Sequence, residues 1–272
     1  MRYIVAVSGG VDSVVLLDML KKVPNTHLIV AHFDHGIRED SSQDEAFVSS
    51  LADKYGLSYE SRREELGEKA SEALARERRY LFLRDVAEKH NARIVTAHHL
   101  DDLVETVAIN LKRGTGWRGL AALDSDIVRP LIDTPKQQLI EYAQANGLVW
   151  HEDSTNASDA YLRNRVRRTA GHITHDTKRQ LRALHSRQKE LKKEIEQETH
   201  TLVGDGPEYN RYFFAQVPQP VALECLRVIT KGNLTRPQLE RSLLAIKTAA
   251  GSSTYQAGSG VNIRFSTRHF SL

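Results

Sequence analysis

The stretch YIVAVSGGVDS at residues 3–13 decides the fold class, because an apolar run passes through a glycine turn directly into a helical pattern. The run Tyr3–Val7 is typical of a buried strand. Glycines at positions 9 and 10 let the backbone turn sharply and approach an anion closely. The N–H groups that open the next helix carry the positive end of its dipole. The stretch therefore predicts a strand, a phosphate-binding loop and a helix, in that order.

Strand-like and helix-like segments continue to alternate outward from this unit. The further strand-like runs are His27–Phe33, Leu57–Ser61, Arg93–Ala97 and Ile127–Leu131. This alternation predicts a doubly wound parallel α/β sheet of the Rossmann-like type, covered on both faces. We expect this domain to span residues 1–172.

After about Trp150 the pattern changes to a long, very polar helical segment at residues 176–201. A strand-like piece from Tyr212, two shorter helical patterns and a glycine-turn hairpin at residues 254–265 follow. We therefore expect residues 173–272 to form a helical linker and a second, smaller mixed α/β domain.

Composition excludes several classes of protein. The chain has 272 residues, a formal net charge of +3 and a single cysteine, Cys225. One cysteine excludes a disulfide framework, a four-cysteine zinc site and a CxxC redox motif within this chain. No apolar run approaches the ~20 residues that span a bilayer, and the start of the chain does not read as a signal peptide. We expect a soluble, cytoplasmic protein with no membrane partner.

The predicted loop offers several groups to a nucleotide. Hydroxyl donors flank the glycines, and the carboxylate of Asp12 needs a metal ion or a proton if phosphates lie beside it. No GxxxxGK[ST] occurs in the chain, and the loop itself is not GxGxxG. The alternative is an ordinary strand-to-helix turn with a polar cap. We interpret the loop as a nucleotide site with Mg²⁺ bound near Asp12, formed by Ser8, Gly9, Gly10, Val11, Asp12 and Ser13.

A second cluster, TAHHLDDLVET at residues 96–106, follows the fourth strand and opens a helix. Parallel sheets place ligands at the carboxyl ends of their strands, where this segment and the loop both fall. Asp101, Asp102 and Glu105 are spaced to share a helix face and could hold Mg²⁺ or a cationic substrate. Two alternatives stay open: acidic residues favour helix starts, and a His/Asp set could bind a transition metal. The groups expected beside the nucleotide are His32, Asp34 and His98.

Two arginine-bearing segments indicate a nucleic-acid partner. The first is the glycine-rich RGTGWRGL with Arg113 and Arg118, and the second is YLRNRVRR, with Arg163, Arg165 and Arg167. Clustered arginines suit a phosphodiester backbone, and basic residues including Lys178, Arg179, Arg182 and Arg187 extend this character downstream. The alternatives are a plain helix cap and loop for the first segment and a solvated charged helix for the second.

Several motifs occur together and in a fixed order: SGGVDS, HFDHGIRE, ALARERRY, TAHHLDDLVET, RGTGWRGLAAL, and DSTN followed by YLRNRVR. This set, over roughly residues 1–170, resembles the tRNA(Ile)-lysidine synthase family, which belongs to the N-type ATP pyrophosphatases of the PP-loop superfamily. The C-terminal part looks like that family's small central domain. Leu103 stands where family members usually have Gln.

The resemblance implies an ATP- and Mg²⁺-dependent ligase that attaches L-lysine to C2 of the wobble cytidine in the CAU-anticodon isoleucine tRNA. It implies that the cytidine is first adenylated, with release of pyrophosphate, and that lysine then displaces AMP. The implied catalytic residues are Asp12, Asp102 and Glu105, the lysine-binding residues Asp102, Glu105 and Arg79, and the metal ligands Asp12 and Asp101. The implied tRNA contacts are Arg113, Arg118, Arg163, Arg165 and Arg167. Family members often dimerise, so a homodimer is one assembly to test.

Two rival functions follow from the same residues. A tRNA thiolase of the same superfamily would usually need cysteines to carry sulfur, and Cys225 lies alone outside the predicted site. A catalytically silent nucleotide- or tRNA-binding module would not need Asp12, Asp102 and Glu105, which the chain retains.

Overall fold

The computed structural model describes residues 1–36, 41–67, 70–123, 126–151, 166 and 173–272. The chain forms two compact units, Met1–Gln188 and Lys189–Leu272. The first unit therefore includes the start of the long polar helix, and the domain boundary near residue 173 stays a prediction. Within the described ranges, none of the helices combines the length and the apolar character needed to cross a membrane.

The first unit is built on four parallel strands in the order β3-β2-β1-β4. The register places Ile4 beside Ile29 on one side and beside Ile94 on the other. This arrangement confirms the predicted parallel α/β sheet. The strands are β1 (Arg2–Ala6), β2 (His27–Asp34), β3 (Ser58–Arg63) and β4 (Arg93–Val95).

Helices cover both faces of this sheet. Successive residues of a strand point to opposite sides, so each face has its own apolar core. Val5 faces a core that includes Leu16, Val48 and Leu139, whereas Ile4 faces a core formed with Phe82 and other residues of the third helix. The helices of this unit are α1 (Val11–Lys21), α2 (Ser41–Tyr55), α3 (Glu72–Lys89), α4 (Leu100–Lys112), α5 (Trp117–Leu120) and α6 (Lys136–Ala145).

The fifth strand predicted at Ile127–Leu131 is wrong. Only Val128 pairs with the sheet, through an isolated parallel bridge to Val95. Pro130 has no N–H to donate, so the ladder cannot continue beyond this point. The Arg129 guanidinium also donates to the carbonyl oxygen of Ile127, and the chain turns from Pro130 onward.

The second unit contains an antiparallel sheet in the order β5-β8-β7-β6. The predicted hairpin is confirmed, and its turn contains Gly258 and Gly260 at φ +102° and +77°. The core includes Phe214, Leu226 and Phe270. The elements, from the long helix onward, are α7 (His175–Val203), β5 (Tyr209–Asn210), α8 (Arg211–Gln216), α9 (Gln219–Ile229), α10 (Arg236–Thr248), β6 (Thr254–Gly258), β7 (Val261–Phe265) and β8 (His269–Ser271).

The strand-like piece predicted from Tyr212 is wrong, because this segment forms helix α8. The Asn210 side chain accepts hydrogen bonds from the N–H groups of Tyr212 and Phe213. This N-cap satisfies donors that a helix start leaves open and so favours a helix over an extended chain.

Candidate active site

The loop between β1 and α1 is closed by its own serine hydroxyls. Ser13 Oγ accepts from the Ser8 N–H at 3.2 Å and donates to the Gly10 carbonyl at 2.9 Å. Ser8 Oγ accepts from the Gly10 N–H at 3.4 Å. These short-range bonds hold the loop in one shape before any ligand binds.

Glycine at position 9 is required by the backbone. Its φ of +93° lies in the region that L side chains rarely adopt. A Cβ at this position would lie 3.5 Å from Phe47 Cδ1, an ordinary contact distance, so space is not the constraint. Among the residues that the structure describes, no side chain caps the start of α1 at Gly10. The N–H groups that open α1 are therefore suited to an anion.

Two histidines support the loop from neighbouring segments. The His151 N–H donates to the Gly9 carbonyl at 3.0 Å, and its ring stacks on Phe47 with centroids 4.4 Å apart. His32 is buried, and its Nδ1 hydrogen-bonds with the Val7 carbonyl at 2.8 Å. His32 thus braces the end of β1 from inside the protein, and its role as a nucleotide contact stays a prediction.

His99 joins the loop to the acidic start of α4. Its Nε2 lies 3.6 Å from Asp12 Oδ2 and 3.4 Å from Asp102 Oδ2. His99 is also the N-cap of α4, where its N–H donates to Asp102 Oδ2 and its Nδ1 accepts from the Asp102 N–H. The expectation that the loop and the tip of the fourth strand meet is confirmed. The sequence prediction named His98 here and missed His99.

The carboxylates around His99 favour its ionised form, which gives up the 3.4 Å contact of Nδ1 with the Asp102 N–H, because both ring nitrogens of an imidazolium are donors. Burial alone lowers the pKa of His99, but its hydrogen bond to Asp12 and the charges of Asp102 and Asp12 outweigh burial and raise the pKa. The reverse holds for Asp12, where burial raises the pKa and the contacts with His99 and Lys136 outweigh it, so the pKa is lowered. Asp12 is therefore a stable carboxylate at neutral pH.

Lys136 is a further residue of the site that the sequence prediction missed. Its Nζ lies 2.6 Å from both carboxylate oxygens of Asp12. Lys136 is the first residue of α6, directly after the N-cap Pro135. A cation at a helix start opposes the helix dipole, and this local conflict is the one sequence signal that could have indicated its role.

Asp101 is held by two groups of the chain itself. Its Oδ2 accepts from the Lys136 N–H at 2.8 Å, and its Oδ1 accepts from Lys178 Nζ on α7. Burial raises the pKa of Asp101, but these two contacts outweigh it and lower the pKa. In the described part of the chain, no group of three or more His, Cys, Asp or Glu side chains is arranged to hold a metal ion. Metal binding by Asp12 and Asp101 stays a prediction.

Three arginines near His98, namely Arg76, Arg79 and Arg129, form a basic wall. His98 hydrogen-bonds with Thr96 Oγ1 at 2.8 Å. Burial lowers the pKa of His98 to about 3; the charge of Asp102 opposes this shift, and three arginines reinforce it. The arginines are Arg79, Arg129 and Arg76, and two of them, Arg76 and Arg79, lie over the Tyr80 ring. His98 is therefore neutral at pH 7, beside groups suited to an anion.

The remaining predicted ligands of this region are largely buried. The Asp102 side chain is 13% exposed, and Glu105 is buried three residues further along α4. Leu103 is fully buried. Asp34 is buried as well, where it accepts from the Gly36 N–H and from Arg63.

The predicted tRNA contacts are described only in part. Arg113 is exposed at the end of α4, and the Arg118 guanidinium lies over the Trp117 ring. Arg163, Arg165 and Arg167 lie outside the described residues. Two cations that the sequence placed on a basic surface turn to acidic partners instead: Lys178 pairs with Asp101 and Arg182 with Asp133.

A parallel α/β sheet whose first strand leads into an uncapped glycine loop defines the class of protein. The family model of the PP-loop domain, an ATP-binding family, matches residues 1–172. The chain belongs to this family.

Curated relatives narrow the similarity further. The chain is 40% identical over 177 residues to the tRNA(Ile)-lysidine synthase of Enterococcus faecalis, a match covering 60% of this chain and 38% of that protein. It is 42% identical over 172 residues to the same enzyme of Thermus thermophilus, covering 60% of this chain and 34% of that protein. The matches thus span about two fifths or less of these relatives.

Among solved structures, the fold resembles the U34-tRNA thiolase NcsA from Methanococcus maripaludis, determined with its [4Fe-4S] cluster. The TM-score is 0.59 at 19% sequence identity, and the match covers 70% of this chain and 72% of that chain. A similarity at this level of identity concerns the fold alone.

Proposed function

We propose that the protein attaches L-lysine to C2 of the wobble cytidine in the CAU-anticodon isoleucine tRNA, at the expense of ATP. The observation that carries this proposal is the position of His99 between Asp12 of the loop and Asp102 of α4. The His99 side chain contacts both residues, so the loop suited to phosphates lies next to the carboxylates suited to an ammonium group. The curated relatives that share this part of the chain are tRNA(Ile)-lysidine synthases.

In this proposal the loop at residues 8–13 holds the pyrophosphate part of ATP. Uncapped N–H groups at the start of α1 support this role. Mg²⁺ is usually held by one or two carboxylates together with substrate phosphates. The candidate carboxylates are Asp12 and Asp101. Both oxygens of Asp12 contact Lys136 Nζ and both oxygens of Asp101 are bonded to Lys136 N–H and Lys178 Nζ, so Mg²⁺ would replace a contact within the protein at either residue. When bound, Mg²⁺ would neutralise charge on the pyrophosphate leaving group.

The substrate lysine would lie between the acidic start of α4 and the basic wall. Asp102 and Glu105 hold its ε-ammonium, and Arg79 holds its carboxylate. Nearby carboxylates favour the charged form of an amine, so these two residues bind and orient lysine. Because a free ammonium has a pKa of about 10.4, it must lose a proton before it attacks.

The reaction proceeds in two displacements. The C2 oxygen of the cytidine attacks the α-phosphorus of ATP, and pyrophosphate leaves. The neutral ε-amine of lysine then adds to C2, and AMP leaves with the former C2 oxygen. The target base must be unstacked from the anticodon to reach the site.

The tRNA would be held by arginines at phosphate groups. Arg113 and Arg118 lie after α4, and Arg163, Arg165 and Arg167 belong to the same proposal although they are outside the described residues. We assign residues 173–272 to a helical linker and a small tRNA-binding domain. Because its substrates are tRNA, ATP and free lysine, we propose that the protein acts in the cytoplasm. We also propose that it forms a homodimer.

The test is a transfer assay with labelled lysine, ATP, Mg²⁺ and the CAU-anticodon isoleucine tRNA. We expect ATP-dependent label in the tRNA, and no label in an isoleucine tRNA with a GAU anticodon. Transfer without ATP, or none to the CAU tRNA, would contradict the proposal. ATP-dependent sulfur incorporation would favour a thiolase, and nucleotide binding without any turnover would favour a silent module.

A further inference from the structure

We propose that Lys136 is a polyphosphate-binding residue, whose ammonium group contacts the pyrophosphate part of the nucleotide and separates it from Asp12. This inference rests on the nucleotide site of the proposed function and adds a residue to it. It starts from the position of the Lys136 ammonium on both carboxylate oxygens of Asp12, at 2.6 Å.

The ammonium group is accessible to a ligand. The Lys136 side chain is 37% exposed and that of Asp12 is 28% exposed. A lysine ammonium has three N–H donors. Within the described ranges, its only hydrogen bonds are those to Asp12, so one donor is available for a phosphate oxygen.

The Lys136 ammonium would reduce the repulsion between the Asp12 carboxylate and a bound polyphosphate. Asp12 is the second residue of α1, directly after the glycine loop, and both of its carboxylate oxygens contact the Lys136 ammonium. A polyphosphate in the loop would meet this carboxylate as a like charge. The Lys136 ammonium is a cation already in place to be shared between the two.

The position of Lys136 in its helix is electrostatically unfavourable for a cation. Lys136 starts α6, where the helix dipole disfavours a cation. Two other paired lysines show the favourable arrangement: Lys22, which follows the last residue of α1, pairs with Asp18, and Lys89, in the last turn of α3, pairs with Glu60. Lys178 pairs with Asp101 from the first turn of α7, so a lysine at a helix start also occurs in an ion pair, and it is the remaining donor of the partly exposed Lys136 ammonium that points to an anion.

The direct test measures binding of inorganic pyrophosphate by calorimetry, with EDTA present so that no metal contributes. A hydrogen bond to a charged group contributes about 1.5–3 kcal/mol, so Lys136→Met should bind pyrophosphate about 10- to 100-fold more weakly. Lys136→Arg should stay within a few-fold of the unaltered protein. Lys89→Met is the matched control, since it removes a lysine from a different ion pair, and should leave the affinity unchanged.

A second comparison separates ligand binding from charge pairing. In the Asp12→Asn background Lys136 has no carboxylate to neutralise. Removing Lys136 there leaves no unpaired Asp12 carboxylate, which in Lys136→Met alone could disturb folding. We expect Asp12→Asn/Lys136→Met to bind pyrophosphate at least about 10-fold more weakly than Asp12→Asn alone. Equal affinities in this pair, or no measurable pyrophosphate binding by the unaltered protein, would overturn the inference.

The two proposals fail in different ways. Lysine transfer to the tRNA by the unaltered protein tests the proposed function and does not depend on Lys136. Metal-free pyrophosphate binding tests Lys136 and does not require tRNA, lysine or turnover. Loss of affinity in the Lys136→Met variants of a protein that transfers no lysine would support the inference and contradict the proposed reaction.

Discussion

His98 and His99 are adjacent in the chain but have opposite electrostatic surroundings. The pKa of His99 is raised, mainly by contact with carboxylates against the effect of burial. The pKa of His98 is lowered to about 3 by burial and by arginines, with Asp102 opposing them. The site thus keeps one histidine neutral beside the basic wall and favours charge on the other beside the loop.

This difference predicts an acid-sensitive contribution to stability. His98 binds a proton in the unfolded chain below about pH 6.5 but stays neutral in the folded protein, so its contribution is lost as pH falls from 6.5 toward 3. Between about pH 7.5 and 5.5 this loss amounts to about 1 kcal/mol. His98→Asn, which retains an amide for Thr96, should lose less stability over this interval in urea unfolding. The same pH dependence in both proteins would contradict the assignment.

Asp12 carries the chemistry of the loop in the proposed function. Asp12→Asn keeps the size of the side chain and removes its charge, so we expect a folded protein whose ATP-dependent AMP release falls by about 100-fold or more. Asp133→Asn is the control, because Asp133 is an exposed carboxylate paired with Arg182. Unchanged turnover in Asp12→Asn would remove Asp12 from the catalytic residues.

The site residues that the sequence predicted correctly lie in short motifs. The loop and the start of α4 could be predicted because glycine, serine and acidic residues occur there at defined spacings. Lys136 could not be found in this way, since it is 124 positions from Asp12 and meets it only in the folded chain. The choice of His98 over His99 likewise depended on side-chain directions that spacing does not define.

The loop between β1 and α1 is the element on which the site depends most. Gly9→Ala should reduce the free energy of unfolding by about 1–2 kcal/mol, because an L residue is strained at φ +93°. Gly10→Ala is the matched control: the N-cap Gly10 has φ −73° and ψ 158°, which alanine adopts readily. Urea unfolding without ligand measures both. Equal changes in the two variants would contradict the conformational requirement at Gly9.

The first turns of helix α7 are fastened by polar contacts to the rest of the first unit. Lys178 pairs with Asp101, Arg182 pairs with Asp133, and His185 Nε2 hydrogen-bonds with the Ala122 carbonyl. Two residues of the predicted basic surface, Lys178 and Arg182, therefore pair with carboxylates of the same unit. They link α7 to the segment that opens α4 and to the segment before α6.

We therefore expect Lys178→Met to destabilise the protein by about 1–3 kcal/mol, since it leaves the half-buried Asp101 carboxylate short of a partner. Arg179→Met is the neighbouring control. Its pair with Asp176 is two-thirds exposed on both sides, so its effect should not exceed about 0.5 kcal/mol. Chemical unfolding compares the two variants, and a larger loss in Arg179→Met would contradict this view of α7.

At the level of elements, periodicity predicted the four strands of the sheet and the C-terminal hairpin. It failed where one residue overrides the pattern. Pro130 ends an otherwise apolar run that resembles a strand, and the Asn210 cap converts an aromatic, strand-like run into helix α8.

For the whole molecule, the PP-loop domain accounts for residues 1–172. The second compact unit has its own core and its own antiparallel sheet. The curated relatives match the chain over a minor share of their own length.

In the proposed function, the C2 oxygen of the wobble cytidine is adenylated before lysine attacks. An isoleucine tRNA prepared with ¹⁸O at C2 of the wobble cytidine tests this directly, with mass spectrometry of the AMP released during lysine transfer. We expect one ¹⁸O atom in the AMP for each lysine attached. AMP without the label, with lysine still transferred, would contradict it.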